Sequence, residues 1–382
     1  MNKILLISFF DSTNIGDKLL SNKLEKLLST HFNVKSIDFS TVQMSIKIQN
    51  HRESSSNGEL GFFKKKLIPL YSYYKTYRCE WKARFLSYLN DVDIVCLAGG
   101  NMLMDLGLFP NYTYKCKKMM QYAKAKNKFT AFISIGVAPF NGFFQKQNAK
   151  EALHYTDFIS VRDIYSLNKI KSLDFNKNCF LSPDPAFLLK KILNTDIRKK
   201  VAINVFFGHG KEKKLKIIED GFVSILNKIT SSLPEYVIAL YSSEINDSDN
   251  IYKVYSRLDS VKNIYVHKIN DLEDILQLYG NSQLAIITRM HSGIIAFTQH
   301  LPIIILGWQD KMKGFAELCN IEDKYFDISD LYNNPDIITN TVRIITNNLE
   351  TERAHNKQKL LDIKDNIKQG FKYFTDLYGG IL

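Results

Sequence analysis

Short apolar runs alternate with amphipathic, helix-like stretches along nearly the whole chain. Ile4–Phe9, Val34–Phe39, Asp93–Ala98, Phe129–Ile135, Phe158–Val161 and Cys179–Leu181 read as strands, with a helix from about Asp17 to Ser29 after the first. A charged stretch, Lys190–Lys200, reads as a linker, and the alternation then restarts. Val201–Phe206, Tyr236–Leu240, Ile264–His267, Leu284–Ile287 and Ile303–Leu306 form a second set of strands, with helices near Glu212–Ser231, Asp271–Tyr279 and Ser292–Gln299. At 382 residues the chain exceeds one ordinary core. This order predicts an α/β protein of two Rossmann-like, doubly wound domains facing a cleft, residues 1–190 and 198–333. Residues 334–382 form a lysine-rich helical segment whose Leu360, Ile363, Ile367 and Phe371 recur at spacings of three and four, so it is expected to pack back across the domain junction. Residues 42–60, with the polar patch Glu53–Gly58, read as a mobile loop.

The most informative segment is Thr288-Arg289-Met290-His291-Ser292-Gly293. It follows Leu284–Ile287, an apolar run suited to a parallel strand covered on both faces. Arg289, His291 and Ser292 therefore sit where open α/β sheets bind ligands, at the carboxyl ends of strands. Arg289 offers a planar fork of donors for a carboxylate or phosphate, and His291 can carry a proton near neutral pH. A lone histidine at a strand end is more often structural, but the next strand ends in Trp308-Gln309-Asp310-Lys311, which brings Lys311 to the same edge. In the first half, Asn14-Ile15-Gly16-Asp17 opens the first helix with free amides suited to an anion, although Asp17 serves equally as an N-cap. Gly99, Gly100, Asn101 and Gly136 follow two further strands as turns or as points of close ligand approach. Arg162 ends another strand, paired with Asp163 or turned across the cleft towards Arg289. Ser182-Pro183-Asp184-Pro185-Ala186 reads as a mainly structural rigid turn, and His209, between two glycines, is a weaker substrate contact.

Composition changes this picture little. Lys and Arg outnumber Asp and Glu by 51 to 39, and the resulting net charge of +12 favours a polyanionic partner or reflects lysine-rich helix surfaces. Five cysteines without a C-x-x-C pair suit reduced thiols. Neither a signal h-region nor an apolar stretch of the ~20 residues needed to span a bilayer is present, so a cytoplasmic protein is expected. Aromatic and cationic residues interleave over residues 62–78, which suits a peripheral contact with the inner face of a membrane or equally the solvated edge of a helix.

Taken in order, Asn14-Ile15-Gly16-Asp17, Gly99-Gly100-Asn101, Ser134-Ile135-Gly136, Ser160-Val161-Arg162-Asp163, Asp184-Pro185-Ala186, Arg289-Met290-His291 and Trp308–Lys311 resemble the motifs of the polysaccharide pyruvyltransferase family. The resemblance spans roughly residues 4–315 and departs from the family pattern at Asn101 for glycine, Met290 for leucine and Trp308 for tyrosine. It implies a GT-B-like pair of domains and transfer of a pyruvyl group from phosphoenolpyruvate to a sugar of a cell-surface polysaccharide or its precursor, as a cyclic ketal. His291, Arg289 and Arg162 are then the expected catalytic residues. His291 moves protons, the two arginines clamp the donor and Lys311 assists the leaving phosphate. Neither a cofactor nor a metal is expected, and the expected partners are phosphoenolpyruvate and a saccharide or lipid-linked oligosaccharide acceptor, with no nucleic acid. Two other readings stay open: a GT-B glycosyltransferase with a nucleotide-sugar donor, served by a ribose-binding carboxylate such as Glu244 or Asp271, and a non-catalytic polyanion-binding protein.

Overall fold

The computed structural model describes residues 1–39, 81–105, 112–140, 142–173, 175, 177–192, 197–208, 212–244, 248–258 and 263–379. The expected mobile loop 42–60, the aromatic and cationic stretch 62–78 and His209 lie outside the described residues.

Two six-stranded sheets, parallel throughout, organise the chain. The first is built from β1 (Lys3–Ser8), β2 (Asn33–Asp38), β3 (Ile94–Ala98), β5 (Phe129–Ile135), β7 (Phe158–Val161) and β8 (Phe180–Leu181), in the order β2-β1-β3-β5-β7-β8. Its helices are α1 (Ile15–Leu28), α2 (Trp81–Tyr88), α3 (Tyr112–Ala125), α4 (Phe143–His154) and α5 (Ile164–Lys171). A small parallel ribbon of β4 (Leu103–Asp105) and β6 (Val137–Phe140) stands at its carboxyl edge. The second sheet runs β11-β10-β9-β12-β13-β14, from β9 (Lys200–Asn204), β10 (Val237–Tyr241), β11 (Ile264–Val266), β12 (Leu284–Ile287), β13 (Ile303–Gly307) and β14 (Tyr325–Asp327). With it pack α6 (Glu212–Ser232), α7 (Ser248–Tyr255), α8 (Leu272–Gly280), α9 (Met290–Thr298) and α10 (Asp310–Cys319). Each sheet reverses its winding once, between β1 and β3 in the first and between β9 and β12 in the second. Those switch points are where side chains from diverging loops can surround a ligand.

Burial explains why these segments are strands. Ile4–Ile7, β3, β12 and β13 are buried on both faces, as parallel strands sandwiched between helix layers must be. Helix α1 turns Leu19, Leu20, Leu24 and Leu28 inward. One apolar cluster runs through both halves, joining Leu20 and Phe187 to Ile294 and Phe315. At its centre the short helix Pro185–Leu188 buries Phe187, whose ring meets Phe297 edge-on with centroids 6.2 Å apart.

The strands expected from the sequence are present within a residue or two. The ribbon β4/β6, strand β14 and several helices were not legible as periodic runs, since β4 and β14 have only three residues each. The expected helix from Ser292 begins two residues earlier, at Met290, so His291 lies in its first turn. The tail is divided into α11 (Asp330–Asn333), α12 (Pro335–Asn347) and α13 (Leu349–Gly379). Helix α13 crosses the junction. Asn356 Nδ2 donates to Leu301 O of the second half at 2.9 Å, while Phe374 packs on Phe158 of the first with ring centroids 5.1 Å apart. Among the described residues, no helix is long and apolar enough to cross a membrane.

Phe374 is fully buried and touches the rings of Phe32, Phe129 and Phe158. Phe374→Ala is expected to lower unfolding stability by about 3–5 kcal/mol, measured by chemical denaturation. A change below about 1 kcal/mol would mean that α13 adds little to the junction.

Candidate active site

The two switch points face one cavity of about 230 Å³. The first half contributes the β1–α1 loop, Asn101 beyond β3 and Arg162 beyond β7. The second half contributes Arg289, His291 and Ser292 at the start of α9 and Lys311 at the start of α10.

Arg162 is only 4 % exposed, and three groups hold its guanidinium. Nη1 meets Asp184 Oδ2 at 3.3 Å, Nη2 donates to Asn101 Oδ1 at 2.8 Å, and Nε lies 3.6 Å from Asp163 Oδ2. Asn101, which stands where the family pattern has glycine, therefore orients this arginine. Gly136 makes room for the pair, because a Cβ there would lie 2.8 Å from Arg162 Nη2 and overlap Asn101 Oδ1. Gly99 and Gly100 do not line the cavity. With φ of +71° and +53° they form the turn that seats Leu20 and Phe9, and Gly100 O accepts from Gly136 N at 2.6 Å.

Arg289, two residues beyond β12, is the N-cap of α9, its guanidinium 4.0 Å from the Phe206 ring centroid and its Nη1 2.8 Å from Glu244 Oε2. The strand end beneath it is anchored: Thr288 Oγ1 donates to Asn204 Oδ1 at 2.8 Å, and Trp308 Nε1 donates to Thr288 O at 2.8 Å. Tyr279, hydrogen-bonded to Tyr241, supports the first turn of α9 by donating to Ser292 O at 3.1 Å. The Ser292 side chain is buried against the cavity and its Oγ has no hydrogen-bond partner. A helix N-terminus with an unpaired hydroxyl beside Arg289 suits an anion.

His291 stands between two carboxylates of the other half, with Nε2 3.3 Å from Asp184 Oδ2 and Nδ1 3.7 Å from Asp17 Oδ1. Asp17 is not the N-cap that was one reading of it. Asn14 caps α1, accepting from Gly16 N and Asp17 N, which leaves the Asp17 carboxylate to face the histidine. Asn14 also forms an isolated antiparallel bridge with Glu244 across the two halves. A methyl group on Gly16 would overlap the His291 side chain, so the helix start and the histidine pack without an intervening side chain.

Asp184 is the residue that the sequence reading missed by treating its turn as mainly structural. It is 2 % exposed, Oδ1 accepts from Ala186 N at 2.9 Å, and Oδ2 faces both Arg162 and His291. The prolines on either side obscured it, because they are equally the signature of a rigid turn. Burial would raise its carboxyl pKa, but the hydrogen bond and charge of His291, then Arg162 and the Ala186 amide, hold it below the ordinary value. Lys311 is lowered to about 8, by burial first and then by the charges of Arg162 and Arg289, against the opposing pull of Asp17 and Asp163.

The polysaccharide pyruvyl transferase family profile matches residues 14–310, from the capping Asn14 to the start of α10. The chain belongs to the polysaccharide pyruvyl transferase family. As a member it is an enzyme, and its GT-B-like fold is shared with solved structures of low sequence identity. The UDP-GlcNAc 2-epimerase of Neisseria meningitidis bound to UDP-GlcNAc superposes with a TM-score of 0.56 at 10% identity over 98% of each chain. The Anabaena protein HepE in complex with UDP and glucose superposes with a TM-score of 0.57 at 10% identity over 100% of each chain. No curated protein matches the chain in sequence. Among the described residues, no group of three or more His, Cys, Asp or Glu side chains is arranged to hold a metal ion.

Asp184→Asn leaves buried Arg162 with only the more distant Asp163 carboxylate, 3.6 Å from Nε, and is expected to cost about 3 kcal/mol near neutral pH. Because the folded carboxyl titrates below its unfolded value, the wild-type advantage is complete above the ordinary aspartate value of ~3.9 and is lost as pH falls through the lowered one. Urea unfolding of both proteins at several pH values measures this gap, and a gap independent of pH would contradict the assignment.

Proposed function

We propose that this pyruvyl transferase takes its pyruvyl group from phosphoenolpyruvate and leaves it as a ketal on two hydroxyls of a saccharide. The observation that carries the reading is the convergence of Arg162, Arg289, Lys311 and His291 on one cavity from both halves. Phosphoenolpyruvate bears a carboxylate and a phosphate on one carbon, and two guanidinium groups, an ammonium and the first turn of α9 supply matching donors. Lys311 and Arg289 stabilise phosphate as it leaves, without a covalent nucleophile.

The methylene carbon gains a proton and becomes methyl, and a sugar hydroxyl oxygen bonds to the adjacent carbon. The carbon–oxygen bond to phosphate then breaks, and a second hydroxyl closes the ketal. Of the two hydroxyl protons released, one restores the acid that protonated the methylene and the other leaves with phosphate, so no oxidant or reductant is needed. His291 is the acid and base for these transfers, held between Asp184 and Asp17. The GT-B nucleotide-sugar reading is less well supported, since both of its carboxylates are engaged. Glu244 pairs with Arg289 at 2.8 Å, and Asp271 caps α8 by accepting from Asp274 N.

A ligand that binds only the folded protein adds about 2.7 kcal/mol at 100 times its dissociation constant. Thermal unfolding is expected to show such stabilisation with phosphoenolpyruvate and to lose it in Arg289→Ala. Stabilisation by UDP-sugars alone would reverse the assignment. Lys311→Met should separate binding from stability. With Lys311 lowered from 10.5 to about 8, holding its ammonium in the fold costs stability at pH 7, so the variant is expected to melt higher yet respond less to phosphoenolpyruvate. Because the unfolded lysine keeps its proton to higher pH, that advantage should be full below about pH 8 and close by pH 10.5, as melting curves across the range will measure.

A further inference from the structure

Beside the donor cavity lies a second recess of about 280 Å³. The two share the walls formed by Asn101, Met104, Trp308 and Lys311. Both halves build its far side. Tyr165 at the start of α5 faces Asp310 at the start of α10, with Gln309 next to it. Val137 and Ala138 of β6 supply an apolar surface.

A pyranose has an apolar C–H face and a rim of hydroxyls, so a site for it needs ring faces together with planar groups that accept and donate hydrogen bonds. Trp308 and Tyr165 supply the rings, and Asp310 and Gln309 the polar groups. Charge disfavours a second anion. Among the described residues the lining carries the carboxylates of Asp163, which faces Arg162, and Asp310 against the cation Lys311, and Asp310 in the wall favours a neutral polyol over a phosphate or a nucleotide diphosphate. A recess on the opposite flank of the donor cavity, about 340 Å³ and lined by residues such as Lys18, Asn22 and Asp271, has no aromatic side chain in its wall among the described residues.

We infer that the recess between Tyr165 and Trp308 is the acceptor subsite, taking a pyranose whose two reacting hydroxyls pass Lys311 to reach the donor. The inference rests on the pyruvyl-transfer reading and adds to it where the sugar lies and which residues select it. Lys311 lines both spaces, so the ammonium that assists the departing phosphate also borders the path of the incoming hydroxyls. Gln309, the N-cap of α10, makes no capping hydrogen bond with its side chain, so removing that side chain leaves the helix start intact.

The test is saturation-transfer NMR of the whole protein, saturated with phosphoenolpyruvate, against a panel of methyl α- and β-hexopyranosides. Wild type, Gln309→Ala, Asp310→Asn and Tyr165→Phe are compared, with the phosphoenolpyruvate-induced thermal shift recorded on each. At least one glycoside should bind the wild type and bind Gln309→Ala and Asp310→Asn about tenfold more weakly, while every variant keeps its thermal shift. An intact thermal shift with no glycoside bound to the wild type, or with binding unchanged in both variants, overturns the acceptor subsite alone. Absence of the thermal shift in the wild type overturns the donor assignment instead.

Discussion

A single carboxylate oxygen, Oδ2 of Asp184, lies 3.3 Å from both Arg162 Nη1 and His291 Nε2, and the rest of the site depends on that shared contact. Arg162 and Asp184 belong to the first half of the chain and His291 to the second. A buried ion pair is costly to desolvate and is weak evidence for stability by itself. Here it sets geometry. The carboxylate fixes the plane of the guanidinium, presents the histidine at a set distance from it, and is itself held by the Ala186 amide at the head of the Pro185–Leu188 helix. That helix carries Phe187 into the apolar cluster common to both halves, so the packing that joins the halves also orients the site.

The other cross-junction contacts follow the same pattern. The Asn14–Glu244 bridge brings a carboxylate to Arg289, and Tyr165–Asp310 closes the flank of the neighbouring recess. Helix α13 spans the outside, tied to Leu301 at one end and to the Phe32, Phe129 and Phe158 rings at the other. Burial first, and then the charges of Arg162 and Arg289, lower Lys311. An anionic ligand offsets the part that comes from repulsion, so affinity for the donor and destabilisation of the empty site share that cause.

How much of this was legible in the sequence depends on what each signal encodes. Fully apolar runs such as Leu284–Ile287 and Ile303–Leu306 announced buried parallel strands, because burial on both faces leaves no other pattern. Arg162, Arg289, His291 and Lys311 were found because strand ends are where open sheets place their chemistry, and they line one cavity. Asp184 was hidden, since an aspartate between two prolines satisfies a turn, and only the fold reveals that its side chain crosses to the other half. Asp17 and Asn14 exchanged roles for a similar reason: either can cap a helix, and the choice depends on where the chain enters α1. The ribbon β4/β6 was too short for its period to register, yet it walls the recess beside the donor cavity.

The most direct test of the central claim is a crystal structure of the protein with phosphoenolpyruvate. The ligand is expected to span the cavity, its carboxylate and phosphate divided among Arg162 of the first half and Arg289, Lys311 and the first turn of α9 in the second, with the Asp184–His291 contact preserved. Phosphoenolpyruvate held by one half alone, or bound away from His291, would contradict the account.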